Sequence, residues 1–508
     1  MKLPPGSYLP AACVAALALA PILVLIDLAA GADVLVGSQH LSLLINTIIL
    51  MLGTALGALL IGVPLAFLLA FVRLPLARLW LVLLAAPLAM PSYIGAFTFY
   101  AVFGRGAELE QWIGLETPSA SGMLGACIVM ALYTYPFVML STRAALLSQD
   151  ANLINAARIL GLPLLQAMLR VALPRALHGV AAGALLAALY ALSDFGTPAI
   201  LNVDTFTRLI YVEYNAFGLS QAAVFSLHLL ALVGLVVFIE SRFSGMEERA
   251  GRSLTLHPGP LAQTVTLLSV LPIIALSLLL PLVLFSVWLV REGLASFDAT
   301  VAVNSVVAAL LAAAVAVLFA LPVAVAAGRG RIGWLLERVT YLGFGIPGIV
   351  MGTALVYLGL KLPALYQTLV VLVLALVLRF LPLAVGALRG AIEQLDTSLY
   401  KAGRVLGAGP IELFTRLTVP LTARGVFAGA ALVFLEAMRE LPATLLLAPT
   451  GFETLATYLW RVYEAGLFGR AAIPGLLLVC LSGLGLALML AGERRADTMP
   501  GSTGAEPC

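Results

Sequence analysis

Chemistry needs side chains that can hold a metal, attack a carbon or move a proton, and in this 508-residue chain few are grouped closely enough to do so. The four histidines, His40, His178, His228 and His257, are scattered, and none falls in the HExxH spacing that puts two imidazoles on one helix face. Cys13, Cys127, Cys480 and Cys508 show no CxxC spacing, and three of them lie in apolar runs, which suits packing residues rather than a zinc site or a disulfide framework. A phosphate-cradling loop GxxxxGK[ST] needs a lysine followed by Ser or Thr; Lys2, Lys361 and Lys401 are the only lysines, and none is so followed. GxGxxG matches at Gly328 and Gly343 do not sit between a strand and a helix, Asp194-Phe195-Gly196 has no accompanying catalytic loop, and no GxSxG elbow is present.

What remains is a set of charges in otherwise apolar sequence: Asp194, Glu436, Arg439 and Glu440. The last three, at i, i+3 and i+4, share one helix face. Each would cost roughly 2.5 to 3.5 kcal/mol facing lipid at a helix centre, so they must face protein or water. Two readings stand. The carboxylates border a pathway for a hard trivalent cation, which prefers oxygen ligands; or, with Arg379 as a further partner, they form an internal ion-pair cluster.

The elements that position these groups follow from composition. Hydrophobic residues make up 62% of the chain and charged residues 10%, with a mean hydropathy of +1.08, far from soluble usage. The net charge of +3 comes without a long basic run, so nothing points to nucleic acid, and lipid is the surrounding medium. Apolar runs long enough to cross a bilayer predict about twelve spans, near 10–30, 44–71, 79–103, 121–147, 177–200, 219–240, 264–290, 303–327, 339–360, 364–388, 425–448 and 472–491. The first reads as an anchor helix rather than a removed signal peptide. Placing both termini in the cytoplasm leaves only Arg105, Arg208, Arg291, Lys361, Arg461 and Arg470 in external loops and Arg379 and Arg439 within spans, with the other Lys and Arg inside.

The chain also repeats itself. Asn46, Pro64 and Arg73 recur as Asn304, Pro322 and Arg331, each 258 residues later. Pro136, Arg143, Asp150, Arg158, Gly161, Pro174 and Phe206 recur as Pro382, Arg389, Asp396, Arg404, Gly407, Pro420 and Phe452, each 246 residues later. Asp194 and Glu440 share that offset. Six spans per half make the repeat parallel, about an axis along the membrane normal. The expected division is 1–240, a cytoplasmic linker at 241–262, 263–495 and a flexible tail at 496–508. Pro64, Pro91, Pro136, Pro322, Pro347 and Pro382 are expected to kink their spans, and small-residue faces such as GTALGALLIG from Gly53 to allow close helix contact.

The strongest repeated element is a pair of loops, at about 150–178 and 396–424, reading NAARILGLPLLQAMLRVALPRA from Asn155 and KAGRVLGAGPIELFTRLTVPLT from Lys401. In each, a short helix with small residues ends at a glycine that permits a tight reversal, an amphipathic stretch follows, and a Leu-Pro or Val-Pro step leads back into the membrane. These residues resemble the EAA loop of ABC importer permeases, with Asn155 and Lys401 standing where that family has glutamate. The resemblance implies an all-α polytopic permease of the type I importer fold, whose loops dock two copies of a cytosolic ATPase through Asn155, Ala156, Ala157, Arg158 and Gly161 and through Lys401, Ala402, Gly403, Arg404 and Gly407. It also implies an external binding protein, no cofactor on this chain and ATP with Mg on the partner. LSDFGTP from Leu192 with TFTRLIY from Thr205, and LEAMRELPAT from Leu435 with PTGFETLAT from Pro449, resemble the ferric-iron branch; permeases for thiamine, aminoethylphosphonate, sulfate and polyamines share parts of these motifs. From other classes, an ion-gradient-driven secondary transporter and a membrane-embedded enzyme are the alternatives.

Overall fold

The computed structural model describes residues 8–31, 38–216, 218–240, 259–293, 297–328, 330–395, 397–481 and 483, and every regular element among them is a helix. Eight helices are long and apolar enough to cross a bilayer, and three bent pairs bring the crossings to as many as 11. The shorter apolar helix Phe468–Leu481 begins where the twelfth span is expected. The rest of that span, Asp396, most of the linker and the C-terminal tail lie outside the described residues.

Hydrocarbon offers backbone groups no water, so a helix that breaks inside it must find partners in protein. The spans expected at 79–103 and 339–360 are not single helices. Ala77–Ala89 and Ser92–Val102 meet at 89°, and Arg331–Gly345 and Gly348–Lys361 at 102°. The cause is a proline at each break: Met90 and Ile346, which precede Pro91 and Pro347, are extended, as the residue before a proline prefers. Pro64, Pro136, Pro322 and Pro382 instead lie inside helices that run on past them. The spans expected at 177–200 and 425–448 also end early. Their long helices stop at Ser193 and Met438, and short helices, Gly196–Ile200 and Pro442–Leu447, follow each break.

The repeat is legible in hydrogen bonds. Asn46 Nδ2 donates to the Asp204 carbonyl at 3.0 Å, and Asn304 Nδ2 to the Glu453 carbonyl at 3.1 Å. Thr47 Oγ1 accepts from the Phe206 amide and Ser305 Oγ from the Leu455 amide. These pairs correct the register after the second break: the counterpart of Phe206 is Leu455, 249 residues on, and not Phe452, because the second half carries three more residues there. Three π-helical turns, Met168–Ala172, Ala275–Leu279 and Phe414–Thr418, each contain the residue four before a proline, Pro174, Pro281 and Pro420. Widening the turn relieves the clash of the ring with that carbonyl.

Helices Ser38–Phe71 and Met123–Leu147 pack most extensively. A Cβ at Gly57 would come 2.6 Å from Ala131 Cβ and one at Gly62 2.8 Å from the Tyr135 carbonyl, so the small-residue face expected from Gly53 onward is a close helix contact. The first helix of each half lies on the other half. Leu9–Ala29 packs on Arg331–Gly345, Gly348–Lys361 and Ala299–Ala327, while Leu280–Glu292 packs on Ser92–Val102.

Each embrace carries an ion pair, and the polarity is reversed between the two. Asp27 on the first helix holds Lys361 at 2.6 Å, both more than half exposed. Arg291 on the later helix holds both oxygens of Glu108, at 2.9 and 2.8 Å, and Trp288 Nε1 joins the same carboxylate at 2.7 Å. Glu108 is only 12% exposed, and a charge-assisted bond to a half-buried group is worth about 1.5–3 kcal/mol, whereas an exposed pair contributes little. Arg291→Ala is therefore expected to lower the melting temperature of the detergent-purified protein measurably, and Lys361→Ala to leave it unchanged; equal shifts would show that burial does not set the difference.

Candidate functional site at the paired loops and the charged seam

The first loop begins where Asp150 caps helix Ala151–Ile159, its carboxylate accepting the Asn152 amide at 3.0 Å. Ile154 and Ala157 are buried against the membrane helices, which turns Asn155, Ala156 and Arg158 outward. The helix ends at Gly161, whose φ of +93° places it in the left-handed region. The Gly161 amide then reaches the Arg158 carbonyl and the Leu162 amide the Ala157 carbonyl, so the last turn is closed. In the second loop, Thr397–Val405 ends the same way at Gly407, φ +84°, with Gly407 bonded to Arg404 and Ala408 to Gly403. Ala402 and Arg404 are exposed, Gly403 is half-buried with Leu413 lying against it, and Lys401 lies within the helix backbone.

The structure adds what the motif reading passed over. Ile159 and Leu160 are 86% and 85% exposed, and Val405 and Leu406 are 88% and 86% exposed. Four aliphatic side chains almost wholly in the open, at the tips of two matched protrusions, are an unpartnered apolar surface of the kind that marks an interface. The signal was available: an aliphatic pair precedes the repeated glycine both times, at the 246-residue offset.

The second group of candidates sits at the helix breaks. Asp194 follows the last residue of Leu173–Ser193. Its Oδ1 accepts from Ser92 Oγ at 2.8 Å and its Oδ2 from the Thr197 amide at 3.0 Å, while Thr207 Oγ1 donates to its carbonyl at 2.9 Å. Glu440 is bonded more fully: Oε1 accepts from the Ala443 amide at 3.1 Å, and Oε2 from the Thr444 amide and hydroxyl, both at 3.0 Å. Both carboxylates thus cap the short helix that follows the break.

Glu440 also holds Arg379 Nη1 at 2.8 Å, with the two side chains 2% and 18% exposed. The contact depends on Gly348, the first residue after the Pro347 break, since a Cβ there would run into the Arg379 guanidinium and the Glu440 carboxylate. In the first half Ser92 and Tyr133 occupy the corresponding places, so Asp194 receives a hydroxyl where Glu440 receives a guanidinium, and among the described residues it makes no ion pair. Glu436 pairs with Arg439, whose Nη1 also donates to the Ala89 carbonyl in the first half. Tyr93 OH donates to the Arg439 carbonyl at 3.2 Å, and its ring stem lies against Gly196. Tyr93 thereby links the two breaks. Among the described residues no group of three or more His, Cys, Asp and Glu is placed to hold a metal ion.

Comparison with known proteins agrees with the doubled architecture. A family model described as binding-protein-dependent transport system inner membrane component matches residues 58–243 and again 312–498. The chain is 31% identical over 488 residues, 91% of its length and 92% of the relative's, to the Fe(3+)-transport system permease protein FbpB 2 of Haemophilus influenzae. It is 31% identical over 170 residues, 28% of this chain and 70% of the relative, to the molybdenum transport system permease protein ModB of Escherichia coli. Against the spermidine/putrescine transport system permease protein PotB of Haemophilus influenzae it is 40% identical over 96 residues, 18% of this chain and 33% of the relative. With both halves matched and an all-helical membrane architecture, the chain belongs to the family of inner membrane components of binding-protein-dependent transport systems, as a permease that carries the family domain twice.

Proposed function

We propose that this chain is the permease of an ATP-driven importer of ferric iron, that two copies of a cytosolic ATPase dock on the paired loops, and that a periplasmic binding protein delivers the cargo from the other side. The observation that carries the coupling is the matched pair of exposed aliphatic tips, Ile159-Leu160 and Val405-Leu406, each fixed by a left-handed glycine. The last turn of each tip is closed; in the first loop the knob helix is joined to the membrane helices through the buried Ile154 and Ala157, and at its base Gln149 Nε2 donates to the Ala172 carbonyl, in the π turn, at 3.0 Å. A force on the knob reaches Leu173–Ser193 through the packing of Ala151–Ile159 on the π turn Met168–Ala172 that leads into it. Asn155, Ala156, Arg158, Ala402 and Arg404 form the exposed rim of the docking face, the ATP and Mg belong to the partner, and both termini lie in the cytoplasm, where the distribution of Lys and Arg puts them.

Cargo identity rests on two supports. The relative matched along nearly its whole length is named for Fe(3+) transport, and of the carboxyl groups at the breaks Asp194 alone, among the described residues, has no ion-pair partner, since Arg379 pairs with Glu440 and Arg439 with Glu436. That single carboxylate suits a cation passing between the halves. Glu440 has the structural part, since its oxygens are already taken by Arg379, two amides and a hydroxyl.

Three sets of variants and one competition assay test this reading. Leu160→Asp combined with Leu406→Asp leaves the membrane helices untouched and is expected to abolish co-purification of the ATPase and to lower uptake at least tenfold; retention of the ATPase by the double variant would remove the docking role. Asp194→Asn keeps an acceptor for the Thr197 amide and is expected to insert normally while ferric-iron uptake falls about tenfold. Glu440→Gln strands Arg379 without its counter-ion, a loss of about 3–5 kcal/mol for a buried pair, and is expected to lower membrane levels and melting temperature. Uptake by Asp194→Asn at the wild-type rate would exclude Asp194 from the pathway, and competition by unlabelled molybdate or spermidine in the same assay would reassign the cargo.

A further inference from the structure

The seam between the halves carries a matched pair of fastenings, Tyr463 OH to the Ile200 carbonyl at 2.8 Å and Tyr214 OH to the Leu446 carbonyl at 3.3 Å, and a further one that has no match. Arg439 stands at the break after Ala423–Met438, and its guanidinium crosses to the first half, where Nη1 donates to the Ala89 carbonyl. Ala89 is the last residue of Ala77–Ala89, so the cation reaches the end of a helix whose final carbonyls lack intrahelical partners and whose dipole favours positive charge. The first half answers from the other side of the break at Pro91, with Tyr93 OH donating to the Arg439 carbonyl at 3.2 Å. Glu436 holds the other guanidinium nitrogens and offsets the charge. Side chain to backbone in one direction and side chain to backbone in the other make a reciprocal clasp between two broken helices of opposite halves.

The repeat offers no second copy of it. At the 246-residue offset Arg439 corresponds to Ser193, and at the 256-residue offset between the breaks Tyr93 corresponds to Ile349 and Ala89 to Gly345. A serine cannot span the gap an arginine spans, and isoleucine has no donor. The clasp is therefore not a by-product of the duplicated fold.

We infer that Arg439, with Tyr93, is a latch between the two halves at their helix breaks, and that its guanidinium must leave the Ala89 carbonyl before cargo can pass. The inference rests on the importer reading above and assigns the closing element of that pathway. Arg439 acts as a positioning residue: it fixes the resting arrangement of the halves and takes no part in binding the ATPase. Its loss shifts the halves toward the parted arrangement that the binding protein otherwise has to stabilise.

The test uses the full chain assembled with its ATPase and binding protein in lipid vesicles, comparing wild type, Arg439→Gln and Tyr93→Phe. The expected result is a rise of about three- to tenfold in ATP hydrolysis without binding protein in both variants, with a wild-type melting temperature in Tyr93→Phe, which removes one hydroxyl and keeps the ring. Binding-protein-free hydrolysis at the wild-type rate in both overturns the latch, as does a lowered melting temperature with an unchanged ratio of hydrolysis with and without binding protein, which marks a packing role. Should Arg439→Gln fail to assemble, Tyr93→Phe decides alone. A wild-type assembly that takes up no cargo on ATP would strike the importer reading instead, and the two failures are told apart by the wild-type control.

Discussion

The architecture depends on one constraint: inside hydrocarbon a helix can break only where side chains take over the hydrogen bonds the backbone loses. The chain breaks repeatedly around one seam, and its few intramembrane charges are spent there. Asp194 and Glu440 cap the short helices that follow two of the breaks, and Arg439 takes the carbonyl at a third. At the fourth, Gly348 leaves room for Arg379 to neutralise Glu440. An unbroken twelve-helix bundle would need none of these residues.

The same constraint distinguishes the two carboxyl groups that cap the breaks. A carboxylate whose oxygens are filled by amides, a hydroxyl and a guanidinium has little left to offer a passing ion, and that describes Glu440. Asp194 has one amide and one hydroxyl and no cation among the described residues. The duplication thus supplied two equivalent positions, and divergence at Tyr133 and Arg379 gave them different partners. Divergence also reversed the outer ion pairs, with acid on the first helix of one half and base on that of the other, so that each first helix matches the half it embraces.

Much of this was legible in the residues. Composition and run length gave the helical membrane class, the offsets of Asn46 and Arg143 gave the duplication, and Gly161 and Gly407 located the knobs. The breaks were not legible, because hydropathy is blind to a two-residue extended step such as Met90-Pro91, whose flanks are as apolar as an intact span. Proline alone could not reveal them either, since Pro64 and Pro382 lie in continuous helices; what differs at Pro91 and Pro347 is the presence of Ser92, Asp194, Gly348 and Glu440 close by in space. The misassigned pairing of Phe206 with Phe452 has a similar origin. Identity of type suggested one register, while three extra residues in a loop changed it, and only the amide bonds to Thr47 and Ser305 reveal which residues correspond.

The knobs and the seam form one machine only if force enters at the loops and leaves at the breaks. The most direct measurement is accumulation of labelled ferric iron in sealed vesicles holding the purified chain, its ATPase and its binding protein, with ATP supplied or withheld on the knob side. The account predicts accumulation when ATP and both partners are present and none when any is missing. Transport by the isolated chain under a proton gradient, without nucleotide, would contradict it.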